Sequence, residues 1–240
     1  PNGSGKTNIL ESISLLAPGK GLKSTHFDDV CKSGEAKWQS KFNLQSKLGI
    51  AEISMSHSQQ ERSRRLTYNG SKMSSSELPN LLNVVWLTPQ MEDLFLGGAS
   101  ARRKFLDRIV YNFDNNHAKI IVKYEHFLRE RNKVLAQGYS QAESSWLDTL
   151  EEKITAEAEL IAKARKLAVE LMQKSIDSLN TPFPKARLKL STLSDDQAHW
   201  DNFSENYRAE LKAKRQKDAY SGRANFGVHR NDLLVSYEGK

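Results

Sequence analysis

The chain has 240 residues, a formal net charge of +7 and one cysteine, Cys31, so it can hold one large domain or two small ones and no internal disulfide. A reducing compartment fits, and the positive balance suits a polyanionic partner without demanding one. No apolar stretch approaches the roughly 20 residues that cross a bilayer, which excludes a membrane-spanning helix and leaves a cytoplasmic location as the expectation.

The chain opens on Pro1, Asn2, Gly3, Ser4, Gly5, Lys6, Thr7 and Asn8. These supply the second half of the phosphate-loop pattern G-x-x-x-x-G-K-[ST], whose first glycine would fall one position before Pro1. Small residues let backbone N–H groups approach phosphates closely. Lys6 would reach the β- and γ-phosphates of ATP, and the Thr7 hydroxyl would ligate Mg2+. Ile9, Leu10, Ile13 and Leu16 predict one inward helical face ending at Pro18-Gly19, which puts the loop at a helix N-terminus. The other reading is a Gly/Ser-rich loop that matches by chance.

From Trp38 to Leu87 the pattern predicts strands. Trp38, Phe42 and Leu44, then Leu48 and Ile50, alternate; Ile53 and Met55 resume after a phase slip. Leu66-Thr67-Tyr68 runs into Asn69-Gly70, a hairpin signal. Leu81 to Leu87 reads as a buried strand. Arg62, Arg64 and Arg65 read as solvated, edge-protecting charge ahead of a nucleic-acid contact.

Helices follow. Ser100 is a plausible N-cap for a stripe of Phe105, Leu106, Ile109, Val110 and Phe113. A second helix starts near His117, with Ile120, Ile121, Tyr124, Phe127, Leu128 and Leu135 inward. A third opens on Ser145-x-x-Asp148 and carries Leu147, Leu150, Ile154, Ile161, Ala164, Ala168, Leu171 and Ile176, predicting an elongated antiparallel arm. Pro182 and Pro184 stop it. Ala186 to Leu190 alternates as a strand, Asp201 to Tyr220 reads as helix, and Leu233 to Tyr237 as a further strand.

Phosphate loop, strand-rich block, helical insertion and return to strand fit the α/β head of an ABC-type P-loop ATPase, a mixed-sheet lobe with an inserted helical arm. The expected division is 1–92, 93–182 and 183–240. Gln90 stands where such heads carry a glutamine for magnesium and γ-phosphate; an ordinary turn residue is the equal alternative.

The segments "NGSGKTNILESISLL", "WLTPQMEDLFLGGASARRKFLDRIV", "YEHFLRERNKVL" and "GVHRNDL" resemble the RecF family of bacterial DNA replication and repair ATPases over essentially the whole chain. The Gly97-to-Asp107, Leu128-to-Asn132 and His229-Arg230-x-Asp232 segments carry the resemblance more specifically than the phosphate loop. The family usually reads G-P-H-R where this chain has Gly227-Val228-His229-Arg230, and often arginine where Lys20 and Lys23 stand. The resemblance implies ATP and Mg2+ as ligands and an ATP-dependent homodimer. It also implies binding to single-stranded, gapped or junction DNA, and RecO and RecR as partners in placing RecA. A signature segment and an acidic catalytic pair are expected beyond Lys240, so hydrolysis, which is slow in the family, belongs to the intact protein.

Arg102, Arg103, Lys104 and Arg108 are candidate DNA or dimer contacts, against intramolecular pairing with acids such as Asp107. Arg208, Lys212, Lys214, Arg215 and Lys217 form a second basic set. His229, Arg230 and Asp232 read as a turn network slightly ahead of a nucleotide or dimer contact. His26, His57, His117, His126 and His199 show no metal-ligand spacing. Two alternatives stay open: another SMC-like head serving chromosome structure, and a small-molecule kinase.

Overall fold

The computed structural model describes residues 4–17, 19–23, 26–46, 49–61, 63–86, 88, 94–138, 141–191 and 201–237, without the side chains of 141–143. Expectations about Pro1, Asn2, Gly3, Pro18, Leu48, Arg62, Leu87, Gln90 and His199 lie outside the described residues. Backbone packing divides the chain into Pro1–Thr88 and Pro89–Lys240. Residues 186–237 therefore belong to the same unit as the long helices, where the sequence suggested a separate return to the ATPase lobe.

In the first unit, α1 (Lys6–Ser14) begins at Gly5, which adopts the left-handed conformation that glycine accepts without strain. The expected inward face is largely turned out: Ile9 is 60% and Leu10 58% exposed, and only Leu16 is buried. The packed side is Glu11 and Ser14 instead. Leu22 N–H donates to Ser14 Oγ at 2.6 Å and Lys23 N–H to Glu11 Oε2 at 3.1 Å, so polar side chains satisfy the backbone of the returning loop.

Strands β1 (Lys37–Ser46), β2 (Gly49–Ser58), β3 (Arg65–Tyr68) and β4 (Ser71–Met73) form an antiparallel meander in that order. β1 and β2 pair Trp38 with His57, Phe42 with Ile53 and Leu44 with Ala51. Even residues of β1 thus face odd residues of β2. The apparent phase slip is this change of parity across a hairpin, and it leaves Ile50 on the outer face opposite Gln45. Asn69 and Gly70 both have positive φ, 47° and 81°, as the tight β3–β4 turn requires. Ile53, Met55 and Leu66 pack with Leu15, Leu16 and Leu78 into one core.

Leu81 to Trp86 do not form the expected strand. A 3-10 turn at Ser75–Asn80, closed by Ser74 and Glu77, carries on through Leu81 N–H and Leu82 N–H bonded to Leu78 O, so these amides turn back instead of joining a ladder. Leu82 and Val84 still pack against the core.

The second unit comprises α2 (Ala99–Val110), α3 (His117–Ala136), α4 (Gln141–Ser178), β5 (Ala186–Ser191), α5 (Phe203–Ala213), α6 (Arg215–Ser221) and β6 (Asp232–Tyr237). Gly98, not Ser100, precedes α2, and Phe113 lies beyond its end, 41% exposed. α4 starts at Gln141, four residues before the expected cap, and Asp148 pairs with Arg215 Nη2 at 2.6 Å. The 38-residue α4 is a spine more than a free arm. Its first half packs Ile154, Ala158 and Ile161 with Tyr124 of α3 and Phe203, Tyr207 and Leu211 of α5. Its second half packs Ala168 and Val169 with Leu106 and Val110 of α2 and the antiparallel β5–β6 pair at Leu190 and Leu233. Leu171, expected inward, is 43% exposed.

Two buried ion groups tie these helices. Arg131 of α3 is fully buried and donates to Glu151 of α4 at 2.9 Å, Asp218 of α6 at 2.7 Å and the Leu211 carbonyl of α5 at 2.7 Å. Arg215 shares Glu151 from the other side. Asp107 of α2 is gripped by both Arg165 Nε and Nη2 of α4, at 2.8 and 2.9 Å, and lies 2.9 Å from His117 Nε2 of α3. Burial pushes the Asp107 carboxyl up, but Arg165 and His117 outweigh it and hold the group below its usual range. Removing one member of a buried ion group leaves the rest uncompensated, so Arg131→Ala is expected to destabilise the second unit by about 3–5 kcal/mol. Urea unfolding measures this, and a variant within about 1 kcal/mol of the parent would contradict the clamp.

Candidate nucleotide site and basic turn

Ser4 to Asn8 form the described part of the phosphate loop and the first turn of α1. Ser4, Lys6, Thr7 and Asn8 are exposed. Among the described residues the N-cap, Gly5, has no side chain to cap the helix and no acid stands in its first turn. The amides that every helix leaves without intrahelical partners are thus unopposed by a carboxylate. Lys6 Nζ lies 3.5 Å from Ser4 Oγ, curled over the loop it would serve. An anion is favoured there by amides, dipole and ammonium together, and the Thr7 hydroxyl stands one residue on. The donor set fits a nucleotide phosphate with its magnesium.

A cavity of about 410 Å³ runs along the side of α1, lined by Asn8, Ile9, Ser12, Lys23, Asp29 and Trp38 among others. Among the described residues no group of three or more His, Cys, Asp or Glu side chains could hold a metal ion by itself.

The basic candidates separate sharply. Arg102 grips Asp232 with Nε and Nη2 at 2.7 and 2.9 Å, while its Nη1 donates to the Gly97 and Leu94 carbonyls. Arg103 Nη1 donates to the Asn231 carbonyl, and burial, reinforced by Arg165, lowers its pKa. Burial also lowers that of Arg108. Lys104 alone of the four is exposed. Arg102 and Arg103 fasten α2 to the start of β6. Arg64 is not the solvated group expected: it donates to the Ala17 carbonyl at 3.0 Å, lies over the Phe27 ring, and burial pushes its pKa down to about 10. In the second basic set Arg215 is buried, and Lys212 and Lys214 pair with Asp148 and Glu210.

His229 and Arg230 occupy a 3-10 turn, Val228–Arg230, after Gly227. His229 Nε2 faces the Ala224 carbonyl at 3.2 Å and Nδ1 faces Tyr124 Oη at 2.7 Å. A carbonyl only accepts, so Nε2 carries the hydrogen and Nδ1 accepts from Tyr124. Tyr124 Oη then accepts from Tyr207 Oη at 3.2 Å, and Tyr207 Oη accepts from Val228 N–H at 3.2 Å. Burial raises both phenols, Tyr124 to about 12, so neither ionises near neutral pH. The sequence singled out His229 and Arg230 but missed Tyr124, Tyr207, Arg131 and Arg165 as their support. A signal existed for Arg131, which stands four residues from both Phe127 and Leu135, inside the apolar stripe of α3.

Loop, helix, antiparallel meander and helical unit have the fold of an ABC-type P-loop ATPase head. The fold matches two solved structures of the recombination mediator protein RecF in the RecFOR pathway, RecF-ATPrS and RecF-ATP. Each has a TM-score of 0.85, with 21% and 22% identity over 100% and 99% of this chain and 66% and 65% of theirs. No protein-family model matches. Proteins named DNA replication and repair protein RecF from Rickettsia bellii (strain OSU 85-389), Rickettsia felis and Rickettsia akari are 45%, 45% and 46% identical over 243, 241 and 242 residues. The chain belongs to the RecF family. It is covered completely by these alignments and spans 66% of the length of those relatives.

Two outcomes follow from the basic turn. A Cβ on Gly227 would stand 2.5 Å from Tyr124 Oη and 2.6 Å from Tyr207 Oη, at a φ of +135°. Gly227→Ala should therefore cost on the order of 2–4 kcal/mol in thermal or urea unfolding, and a variant as stable as the parent would contradict the close approach. His229 has its pKa lowered, chiefly by burial, so the folded state holds it neutral while the unfolded chain protonates it near pH 6.5. Its contribution to stability is complete above about pH 6.5 and is lost as the pH falls toward the folded pKa. Melting temperatures between pH 7.5 and 5 should fall less steeply, by roughly the share of one group, in His229→Gln than in the parent; equal slopes would contradict the assignment.

Proposed function

We propose that this chain is the nucleotide-gripping portion of a RecF-type, ATP-dependent DNA-binding protein of recombinational repair. The observation that carries the reading is the exposed, acid-free first turn of α1 behind Gly5, with Lys6 and Thr7 on it. Amides of this turn donate to phosphate oxygens, Lys6 adds a point charge at the β- and γ-phosphates, and Thr7 offers its hydroxyl to Mg2+. Pro1, Asn2, Gly3 and Ser4 belong to the same sequence pattern, and Gln90 is the second candidate for the magnesium and γ-phosphate. Bound nucleotide supplies a polyanion that two copies can share, so occupancy favours a homodimer able to hold single-stranded or gapped DNA.

Membership of the RecF family supports this reading, as do the names of the relatives, which concern DNA replication and repair, and of the solved structures, which concern ATP and the RecFOR pathway. RecO and RecR as partners, RecA loading, the response to DNA damage and slow ATP hydrolysis are proposals for the intact protein. Among the described residues no helix is long and apolar enough to cross a membrane, and a cytoplasmic site of action is proposed with the rest.

Charge-assisted hydrogen bonds contribute about 1.5–3 kcal/mol, so Lys6→Ala in the intact protein should weaken ATP binding roughly 10- to 150-fold. Titration with a fluorescent ATP analogue measures affinity, and sedimentation with and without ATP measures pairing. A Lys6→Ala protein that binds ATP and pairs as the parent does would overturn the reading.

A further inference from the structure

In the second basic set Arg215 is buried and Lys212 and Lys214 pair with acids, whereas the turn that follows α6 presents its cations to solvent. Tyr220 is 96% exposed, the most exposed large apolar side chain described. It stands three residues after Lys217, on the same face of α6, and three before Arg223; both cations are exposed.

The turn is held rigidly from below. Gly222 ends α6 in the left-handed conformation. Asp218, buried and paired with Arg131, accepts from Asn225 N–H at 2.9 Å and Nδ2 at 3.0 Å. Asn225 Nδ2 also reaches Ser221 Oγ at 2.8 Å and the Arg223 carbonyl at 3.2 Å. One residue on, the Ala224 carbonyl accepts from both His229 and Arg230, the latter at 3.3 Å. Arg230, itself exposed, is thereby stitched to the same turn.

Charge selects the occupant. Between Leu211 and Asn231 the only acid is Asp218, which is buried. What faces solvent is an aromatic ring among cations, on a support that needs no ordering on binding. A protein interface of this kind would want apolar neighbours around the ring, whereas stacked bases and phosphates want this combination.

We propose that the 217–230 turn is a contact for single-stranded nucleic acid, with Tyr220 stacking on one base while Lys217, Arg223 and Arg230 hold flanking phosphates. It rests on the DNA-binding reading above and deepens it. Stacking carries no sequence preference, which suits a protein that meets gaps of any sequence.

The test uses the intact protein with ATP and a fluorescein-labelled oligothymidylate, followed by anisotropy over a salt series. Base–aromatic stacking is worth about 1–3 kcal/mol, so Tyr220→Ala should weaken binding roughly 5- to 150-fold, with the salt slope unchanged. Tyr220→Phe keeps the ring and should stay within about twofold of the parent. Arg223→Ala should lower the salt slope by about 0.7, the loss of one single-strand phosphate contact. Parent-like binding by Tyr220→Ala while the parent binds well would sink this proposal and leave the DNA-binding reading standing. Parent-like DNA binding with lost self-association or lost RecR binding would also overturn it, making the turn a protein-docking surface. If the parent itself ignores the oligonucleotide at low salt, the function proposed above fails first.

Discussion

One guanidinium, that of Arg131, organises the helical unit. An ion of this size loses several kilocalories per mole of hydration on burial, and only close opposite charge and filled hydrogen bonds offset the loss. Arg131 has both: two carboxylates and a carbonyl surround it, each from a different helix. Apolar contacts tolerate sliding, whereas three directional bonds from one planar fork do not. The ion group therefore fixes how α3, α4, α5 and α6 sit against one another, while Tyr124, Ile154 and Leu211 supply the burial energy around it. Asp218 passes this order outward, since its second oxygen holds the turn that carries Tyr220 and Arg223.

The second ion group plays the matching part at the other end of α4. Arg165 holds Asp107 with two bonds and reaches the Val228 carbonyl at 2.7 Å with its remaining nitrogen. Through that bond the His229–Arg230 turn is tied to α2 and α4 at once. Arg102 and Arg103 fasten the same region from the surface side. Several charged residues of the family-like segments thus act as fasteners, leaving the exposed basic function to fewer side chains than composition alone suggests.

Much of this was legible in the sequence, and the exceptions have physical reasons. The Asn69-Gly70 hairpin, the α3 stripe and the β5 and β6 strands follow from short-range rules, and the structure has them. The α1 face was read by hydrophobicity alone, but the returning loop needed hydrogen-bond acceptors, so Glu11 and Ser14 took the inner side. The run from Leu81 to Trp86 is apolar without being a strand because the preceding 3-10 turn takes its first amides. Arg64 reads as solvated charge and Arg215 as one of a basic set, and neither Arg131 nor Arg165 is read as interior, because a sequence does not display the distant carboxylates and carbonyls that admit a guanidinium to the interior. The phosphate-loop pattern is the opposite case, since small residues and one lysine in a row suffice to write it in a sequence.

The hydroxyls of Tyr207 and Tyr124 have one further consequence. Each phenol owns a single hydrogen, and the fixed ends of the file, an amide that can only give and a carbonyl that can only receive, dictate which way every one of them points. The row has one orientation and no alternative, like dominoes that have all fallen the same way. Taking out the Tyr124 oxygen would strand the Tyr207 hydrogen on one side and the imidazole lone pair on the other, so a single atom underwrites two bonds. The turn bearing Arg230 inherits its bearing from that sequence of small, one-directional gifts of hydrogen, the first two of them hidden from water.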